Sequence, residues 1–535
     1  MITKVDRIWR RTIGVLALGA AVVAPGTAHA YSGCVDDGKT VIAITGVSVH
    51  GRGDSGADLD RSVVLIENGR IVAVGADVAI PDGATRIELE GGAVTPGLID
   101  ANAWLEPDDM VTAQMNQWRP RDDSPVEEWF AYHAHLRDAH GVEHTDSAAH
   151  GEHGEGGLLN PWEGDPQAID ECLLAAAAGD EDGTTLCPIC GGPITESPGD
   201  DAFASGVNWR YSQTEASSEV VPHTMVADSL DLLAPDLEIL MKEGVTTVYA
   251  SPEPSAVIGP RGAIVRTAGP LSERLVTEAA AVQATLGSDS FRLGAGNRSP
   301  YRGFVSMRTR RPNSRMGVSW VFRKAFYDAE KHHDGLEVTG ADAPPIAAME
   351  ALRDLRNGSI PLRIQARTER DIMSAIALAD EFDLDFTLLE ATEAYRAIDA
   401  IVNAGLPVIF GPIYSEPGSM RAYVDGARDS KLATFATLIN SGAPTALSAR
   451  DLRGEDGLAR QVMYAMRTGV PFDEALRAVT LTPAEMLGLA DEVGSIETGK
   501  RADVVVWNGQ PFAATSRPVV VVVGGVVEHD ARTKN

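Results

Sequence analysis

The stretch from Val94 to Trp104 constrains the fold more than any other part of this sequence. Leu98 and Ile99 form a short apolar run, which is entered through Pro96-Gly97 and left through the carboxylate of Asp100. A short apolar run that is bounded by turn residues is typical of a buried strand. The sequence therefore predicts a short buried strand that ends in polar residues.

Strand-like and helical stretches alternate along the chain after residue 230. The strand-like stretches are short apolar runs, at 244–248, 362–364, 385–389, 407–410 and 444–447. The helical stretches are longer, at 230–242, 369–381, 395–403 and 472–487. This alternation is expected for an α/β fold of the (β/α)₈ TIM-barrel type.

Both ends of the chain carry β-rich segments. Four short runs within residues 40–89 are separated by Gly, Asp and Asn turns, of which Asn68-Gly69 is a good hairpin signal. Near the other end, residues 494–503 lead into two valine-rich runs, 504–507 and 519–523. We therefore expect β-strands in the segments that precede and follow the barrel in the sequence.

The stretch Val94–Trp104 resembles the first barrel strand of the amidohydrolase superfamily. Other motifs are similar to exported, imidazolonepropionase-like members of that superfamily: GVTTV at 244–248, VIGPRGAIVRTAG at 257–269, NSRMGV at 313–318, TEAY at 392–395, LTPAEMLGL at 481–489 and GSIETGKRAD at 494–503. In such proteins the string GPRG at 259–262 is a glycine-rich turn. The resemblance covers about three-quarters of the mature chain.

The resemblance implies a domain order as well as a fold. It predicts a TIM-like barrel together with a small β-sandwich composite domain that is built from both chain ends. The expected boundaries are a signal peptide at 1–30, the first part of the β-sandwich at 31–95, the barrel at 96–490 with an insertion at about 107–222, and the second part of the β-sandwich at 491–535.

The resemblance also implies a metal centre at the carboxyl ends of the barrel strands, where one or two divalent ions, typically zinc, activate a water. The family holds them with His-x-His after strand one, a His after strand five, a His after strand six and an Asp after strand eight. The matching positions here are Asn102, Trp104, Gln365, Glu390 and Arg450, or Asp451 if the register slips by one, with Arg367 in the strand-five motif. An indole and a guanidinium cannot ligate a metal. We therefore expect no metal in the barrel and no cofactor.

Two interpretations of these replacements remain open. The oxygen donors Asn102, Gln365, Glu390 and Asp451 form one set that suits a hard cation such as Mg²⁺ or Ca²⁺. The interpretation that we favour is a buried ion pair, Arg367 with Glu390 or Arg450 with Glu390, on the ground of charge complementarity.

The predicted insertion is acidic and rich in histidine. Its histidines are His133, His135, His140, His144, His150 and His153. Histidine-rich tracts bind transition metals, so these residues are weak candidates for a metal site. Their spacing follows no single helical face, which favours a solvated segment with incidental histidines.

The first thirty residues predict export. Four basic residues precede the apolar run Ile13–Val23, and Ala28-His29-Ala30 is a small-x-small cleavage site. We expect a periplasmic or extracellular protein with no membrane span after cleavage; a lipoprotein at Cys34 is an alternative.

Four cysteines in an exported chain fit two structural disulfides. The formal net charge of −30 argues against nucleic acid as a partner.

Three functions are compatible with these observations. The one that we favour is a catalytically silent amidohydrolase homologue that binds a small molecule or a related amidohydrolase subunit, as a homo- or hetero-oligomer. The first alternative is an active metal-dependent hydrolase of C–N bonds with a rebuilt oxygen-ligand site. The second is a metal-binding protein that works through the histidine-rich insertion.

Overall fold

The computed structural model describes most of the chain outside the N-terminal segment and the insertion. The described residues are 41–53, 57–105, 142–144, 185–186, 193–196, 213, 218–287, 289–292, 312, 314–340, 343–413 and 431–532. The chain divides into two compact units, of which the first contains residues 1–107, 212–292 and 311–535 and the second residues 108–211 and 293–310.

Several predicted features lie outside the described residues. They are the signal peptide, the four cysteines and five histidines of the insertion (His133, His135, His140, His150 and His153). The sixth, His144, belongs to strand β7 (Val142–His144), which forms a three-stranded sheet in the second unit with β8 (Thr185–Leu186) and β9 (Pro193–Glu196). The predicted domain boundaries stay predictions.

Strands from both chain ends form one eight-stranded sheet in the first unit. Its N-terminal members are β1 (Val41–Val49), β2 (Leu59–Glu67), β3 (Arg70–Gly75), β4 (Thr85–Glu88) and β5 (Ala93–Pro96). Its C-terminal members are β17 (Val504–Trp507), β18 (Pro518–Val523) and β19 (Val526–Asp530). The two ends meet where β17 pairs with β5 in antiparallel register, Val504 opposite Pro96 and Trp507 opposite Ala93. The segment between β5 and β17 therefore leaves this sheet after β5 and returns to it at β17.

A second eight-stranded sheet has the strand order of a barrel, as predicted. Its strands are β6 (Leu98–Ala103), β10 (Val245–Ala250), β11 (Ile258–Arg266), β12 (Leu275–Thr285), β13 (Leu362–Ala366), β14 (Phe386–Glu390), β15 (Val408–Phe410) and β16 (Thr445–Leu447), each paired with the next. Beyond the last strand, the amide of Trp104 donates to the carbonyl of Arg450 at 3.1 Å. This bond brings the first and last strands together, so the TIM-like barrel is confirmed.

One strand of the barrel runs against the others. β11 is antiparallel to both β10 and β12, whereas the remaining neighbouring pairs are parallel. The prediction of a glycine-rich turn at 259–262 is therefore wrong, because these residues lie inside β11. Gly262 has another reason to be glycine: a Cβ there would collide with the ring of Tyr249 and lie 2.7 Å from the carbonyl of Ala250.

Helices cover the barrel in the first unit. They are α1 (Pro235–Lys242), α2 (Leu271–Arg274), α3 (Asp289–Arg292), α4 (Arg315–His333), α5 (Ile346–Arg356), α6 (Glu369–Phe382), α7 (Ile398–Ala404), α8 (Thr434–Asn440), α9 (Leu458–Arg467), α10 (Phe472–Arg477) and α11 (Leu481–Leu487). Thr368 caps α6 by accepting from the amide of Asp371 at 3.2 Å. Over the described residues, no helix has the length and apolar character that crossing a membrane requires.

We predict that Gly262→Ala destabilises the protein by about 1–3 kcal/mol, because the new methyl group must displace the Tyr249 ring or the β10 backbone. Denaturant unfolding followed by tryptophan fluorescence measures the change. Gly75→Ala is the matched control, since a Cβ there meets only Val78 at an ordinary 3.7 Å. Equal unfolding midpoints for the two variants would contradict the close approach.

Candidate functional site

The residues that the resemblance matches to metal ligands lie at the carboxyl ends of the barrel strands. Asn102 is the penultimate residue of β6, and Trp104 follows that strand. Gln365 and Arg367 lie at the end of β13, Glu390 is the last residue of β14, and Arg450 comes shortly after β16. The barrel therefore brings together residues that are far apart in sequence.

Glu390 lies between two arginines. Its Oε1 is in contact with Nη1 of Arg450, and its Oε2 accepts from Nε of Arg367. The side chains of all three residues are less than 10% exposed. The ion pair that the charges predict is present, and it forms with both arginines rather than with one.

Asp289 extends this cluster, and sequence reasoning missed it. It is the first residue of α3, and its carboxylate pairs with Nη1 of Arg367 at 2.8 Å. Nε2 of Gln365 donates to both carboxylates, at 2.9 Å to Asp289 and 2.9 Å to Glu390. We call Arg450, Glu390, Arg367, Asp289 and Gln365 the mouth network. Its two anions balance its two cations.

Burial acts on the electrostatics of the mouth network. The pKa of Arg450 is lowered to about 10, chiefly by desolvation and also by the charge of Arg367, while the charge of Asp451 acts in the opposite direction. Asp451, the alternative position for the strand-eight ligand, is only half-buried. Arg450 remains cationic at neutral pH, because a pKa of about 10 is well above 7.

The backbone that carries the network adopts conformations that side-chain-bearing residues rarely use. Glu390, Ala391 and Arg450 have positive φ angles of 67°, 46° and 59°. The amide of Ala391 donates to the carbonyl of Leu389 at 2.9 Å, which closes a three-residue turn around Glu390. Backbone of this kind persists only where the surroundings hold it in place, and it clusters at functional sites.

Arg453 holds the loop that carries Arg450. It makes a two-pronged pair with Asp236 on α1, at 2.8 and 2.9 Å. It also donates to the carbonyl of Arg450 and to the carbonyl of Trp104, each at 2.9 Å. Since these carbonyls follow the last and the first strand, Arg453 fixes the two barrel ends to each other and to a helix.

Asp100 and Asn102 fill the seam between the first and last strands. Asp100 is fully buried and accepts from the amide of Asn102 at 3.0 Å, from Oγ of Ser448 at 2.6 Å and from the amide of Ala449 at 2.9 Å. Burial raises the pKa of Asp100, and the hydrogen bond from Ser448 opposes this rise. Oδ1 of Asn102 accepts from Oγ of Ser251 at 2.5 Å.

The donor set at these positions does not fit a divalent metal. Both oxygens of Glu390 face guanidinium groups, and Oδ1 of Asn102 is used by Ser251. A dication at the mouth would also be repelled by Arg367 and Arg450, which lie at the same strand ends. Within the described ranges, no group of three or more His, Cys, Asp or Glu residues has the arrangement of a metal site.

Glu243, at the end of α1, contacts the same loop from outside the network. Its Oε1 accepts from the amide of Gly454, the residue that follows Arg453. Desolvation raises the pKa of Glu243 to about 7, while the Gly454 amide and the charge of Arg453 oppose the rise. The carboxylate therefore titrates near neutral pH beside the loop that positions Arg450.

Comparison with known proteins supports the resemblance. The model of the amidohydrolase family matches residues 422–527. The chain is 24% identical over 348 residues to amidohydrolase tasK of Hapsidospora irregularis, a match that covers 61% of this chain and 34% of that protein. It is 32% identical over 106 residues to imidazolonepropionase of Sphingopyxis alaskensis, which covers 18% of this chain and 26% of that protein. The chain thus matches about a third of the length of one curated relative and about a quarter of the other.

A solved structure shares the fold. The crystal structure of an amidohydrolase from Thermotoga maritima MSB8 aligns with a TM-score of 0.63 at 22% identity. The alignment covers 91% of this chain and 100% of that one. At this identity the likeness establishes the architecture and not the chemistry.

We predict that Glu390→Gln destabilises the protein by about 3–5 kcal/mol, because it removes the buried carboxylate charge that both Arg367 and Arg450 contact. Denaturant unfolding measures the loss. Glu330→Gln serves as the control, since it removes an exposed pair with Arg356 at 2.8 Å and should change the stability by less than about 1 kcal/mol. Similar losses in the two variants would show that the network does not stabilise the mouth.

We predict that Glu243 makes the protein less stable as the pH rises from about 5 to 8. The unfolded chain loses the proton near the ordinary value of 4.5, whereas the folded chain retains it up to about 7. The stabilising proton is therefore present in acid and lost above pH 7, a difference of about 3 kcal/mol. Thermal unfolding at both pH values should show a smaller drop for Glu243→Gln than for the wild type. The exposed Glu238→Gln should keep the wild-type drop, and an unchanged drop in Glu243→Gln would contradict the assignment.

Proposed function

We propose that this chain, an amidohydrolase-family protein, does not hydrolyse its ligand through the metal centre of that family and acts instead as a binding homologue. The observation that carries the proposal is the position of Glu390, whose two carboxylate oxygens face two guanidinium groups where the family places a metal ligand. The similarity to relatives named amidohydrolase and imidazolonepropionase supports the family and does not decide the activity.

The chemistry of hydrolysis supports this proposal. Family hydrolysis needs a Lewis acid that polarises a carbonyl and an open coordination position for a water. At the strand ends described above, the carboxylates of the mouth network are engaged by its own two guanidinium groups, those of Arg367 and Arg450. A carboxylate that accepts from guanidinium groups is not available to a metal, so no hydrolytic step follows from this geometry.

The charge balance of the network indicates the kind of ligand. Each arginine is neutralised by a carboxylate at close range, so an anionic ligand gains little from either of them. A cationic ligand gains little from Glu390 or Asp289 for the same reason. The half-buried indole of Trp104, whose ring centroid lies 5.6 Å from the guanidinium of Arg450, provides an apolar surface beside the network. An uncharged small molecule is the ligand that these groups suit, and a related amidohydrolase subunit is the alternative occupant. Export to the periplasm or beyond the cell is part of the same proposal.

The test is the metal content of protein purified without a histidine tag, measured by elemental analysis. A matched variant replaces the six histidines of the insertion by asparagine, and circular dichroism confirms that it folds. We expect well below one metal ion per chain in both proteins, because the barrel mouth offers no free donor set. About one ion per chain that persists in the variant would establish a rebuilt barrel site and contradict the proposal.

A restored variant tests the same idea from the other side. Asn102→His, Trp104→His, Gln365→His, Glu390→His and Arg450→Asp together recreate the family's ligand types. If only the ligands have been lost, this variant should bind zinc at about one ion per chain or more while the wild type does not. If the wild type bound as much zinc as the variant, the proposal that the mouth network holds no metal would be contradicted.

A further inference from the structure

Two acidic residues of α1 hold the loop that connects β16 to α9. Asp236 pairs with Arg453 of this loop at 2.8 and 2.9 Å, and Oε1 of Glu243 accepts from the amide of Gly454. The two acids are seven residues apart, which is about two turns of an α-helix. They therefore reach the loop from the same face of α1.

The helix is anchored in the core, whereas the loop has little regular structure of its own. Leu237 and Leu240 of α1 are each 1% exposed. We call residues 448–457 the Arg450 loop; it contains one three-residue turn, Gly454–Asp456, and its other residues are neither helix nor strand. Segments of this kind open at a lower free energy than the core does. The contacts with α1 therefore decide how tightly the Arg450 loop is held.

The two contacts with α1 differ in their charge. The contact of Asp236 joins opposite charges, whereas the contact of Glu243 joins a carboxyl group to a neutral amide. Oε2 of Glu243 is buried and has no hydrogen-bond partner among the described residues. It lies against Gly457, where a Cβ would collide with it. An ionised Glu243 would thus place a charged oxygen in a position that no donor satisfies.

The surroundings of Glu243 also disfavour its ionised form. It follows the last turn of α1, where the helix carbonyls carry partial negative charge. The charge of Arg453 favours ionisation, but this guanidinium is already paired with Asp236, whose own charge opposes it. The neighbouring Lys242 pairs with the exposed Glu238 at 2.6 Å. Burial is the main cause that raises the pKa of Glu243 to about 7.

We propose that Glu243 is a pH-sensitive latch, whose neutral carboxyl group holds the Arg450 loop closed against α1 and whose ionised form lets the loop open. Opening brings the carboxylate into water, which supplies the hydrogen bonds that Oε2 lacks in the closed loop. The same loop carries Arg450, the partner of Glu390 in the mouth network. The latch therefore controls how firmly one side of the barrel mouth is held, whatever the mouth binds.

The direction of the pH dependence follows from the two states of this carboxyl group. In the open loop it loses its proton near the ordinary pKa of 4.5, whereas in the closed loop it retains the proton up to about 7. The open fraction should therefore rise with pH between these two values and level off above them. From about pH 5 to about pH 8, the equilibrium constant for opening should increase by about fiftyfold.

Hydrogen exchange of the full chain, followed by mass spectrometry, tests the proposal. After correction for the intrinsic exchange rate, the Arg450 loop should exchange about fiftyfold faster at about pH 8 than at about pH 5. At both pH values it should exchange faster than β18, because the opening is local. Glu243→Gln stays neutral and keeps an oxygen for the Gly454 amide, so its loop should change by less than about threefold. The exposed Glu238→Gln should respond as the wild type does.

A second variant removes the latch. Glu243→Ala should make the Arg450 loop exchange rapidly at both pH values, while circular dichroism confirms that the protein is folded. The proposal would be overturned by a wild-type loop with the same corrected rate at both pH values, by a Glu243→Gln variant that responds as the wild type does, or by a loop that exchanges no faster than β18. These outcomes concern the loop itself and are separate from the metal content of the barrel.

Discussion

The contact of one carboxylate with two guanidinium groups organises the carboxyl end of this barrel. Glu390 is 1% exposed, and its carboxylate is satisfied by Arg367 after β13, by Arg450 after β16 and by Gln365. Those arginines are tolerated in the interior because Glu390 and Asp289 pair with them, and the charge of Asp451 also favours the cationic form of Arg450. Each charged side chain can therefore be buried only together with its partners. The backbone conformation at these residues is consistent with this requirement. The positive φ angles of Glu390 and Arg450 occur at the two residues whose side chains must meet.

A second set of contacts holds Arg450 in position relative to Glu390. Asp100 joins the first strand to the segment after the last one through Ser448 and Ala449, and Arg453 ties the carbonyls of Trp104 and Arg450 to α1. These bonds set the height and direction of Arg450 relative to Glu390. A barrel with a loose seam would leave a buried arginine without its partner, so the precision of the seam and the neutrality of the network depend on each other.

The parts of the fold that sequence reasoning predicts are those with local signals. The apolar runs at β6, β10, β13, β14, β15 and β16 are short and bounded by turn residues, and each is a strand. β11 has no such signal, because Gly259, Pro260 and Gly262 indicate a turn. Gly262 leaves room for the Tyr249 ring on a neighbouring strand. The local sequence pattern does not show such a contact between strands. At the site, charge complementarity is enough to predict the Glu390 pair, whereas Asp289 and Arg453 act through tertiary contacts and carry no motif of their own.

Stability alone does not explain why the mouth is charged. Apolar side chains of similar volume often replace buried ion pairs without loss, because pairing barely offsets the removal of charges from water. Beside Asp289, Gln365 and Arg367 the structure leaves a cavity of about 10 Å³, the space of about one water molecule. Imidazoles around a metal leave a position open for a substrate water, whereas long guanidinium side chains locked to carboxylates close it. In this chain the strand ends carry a packed network in which two carboxylates face two guanidinium groups. This geometry is the reason that we propose a binding homologue and not a hydrolase.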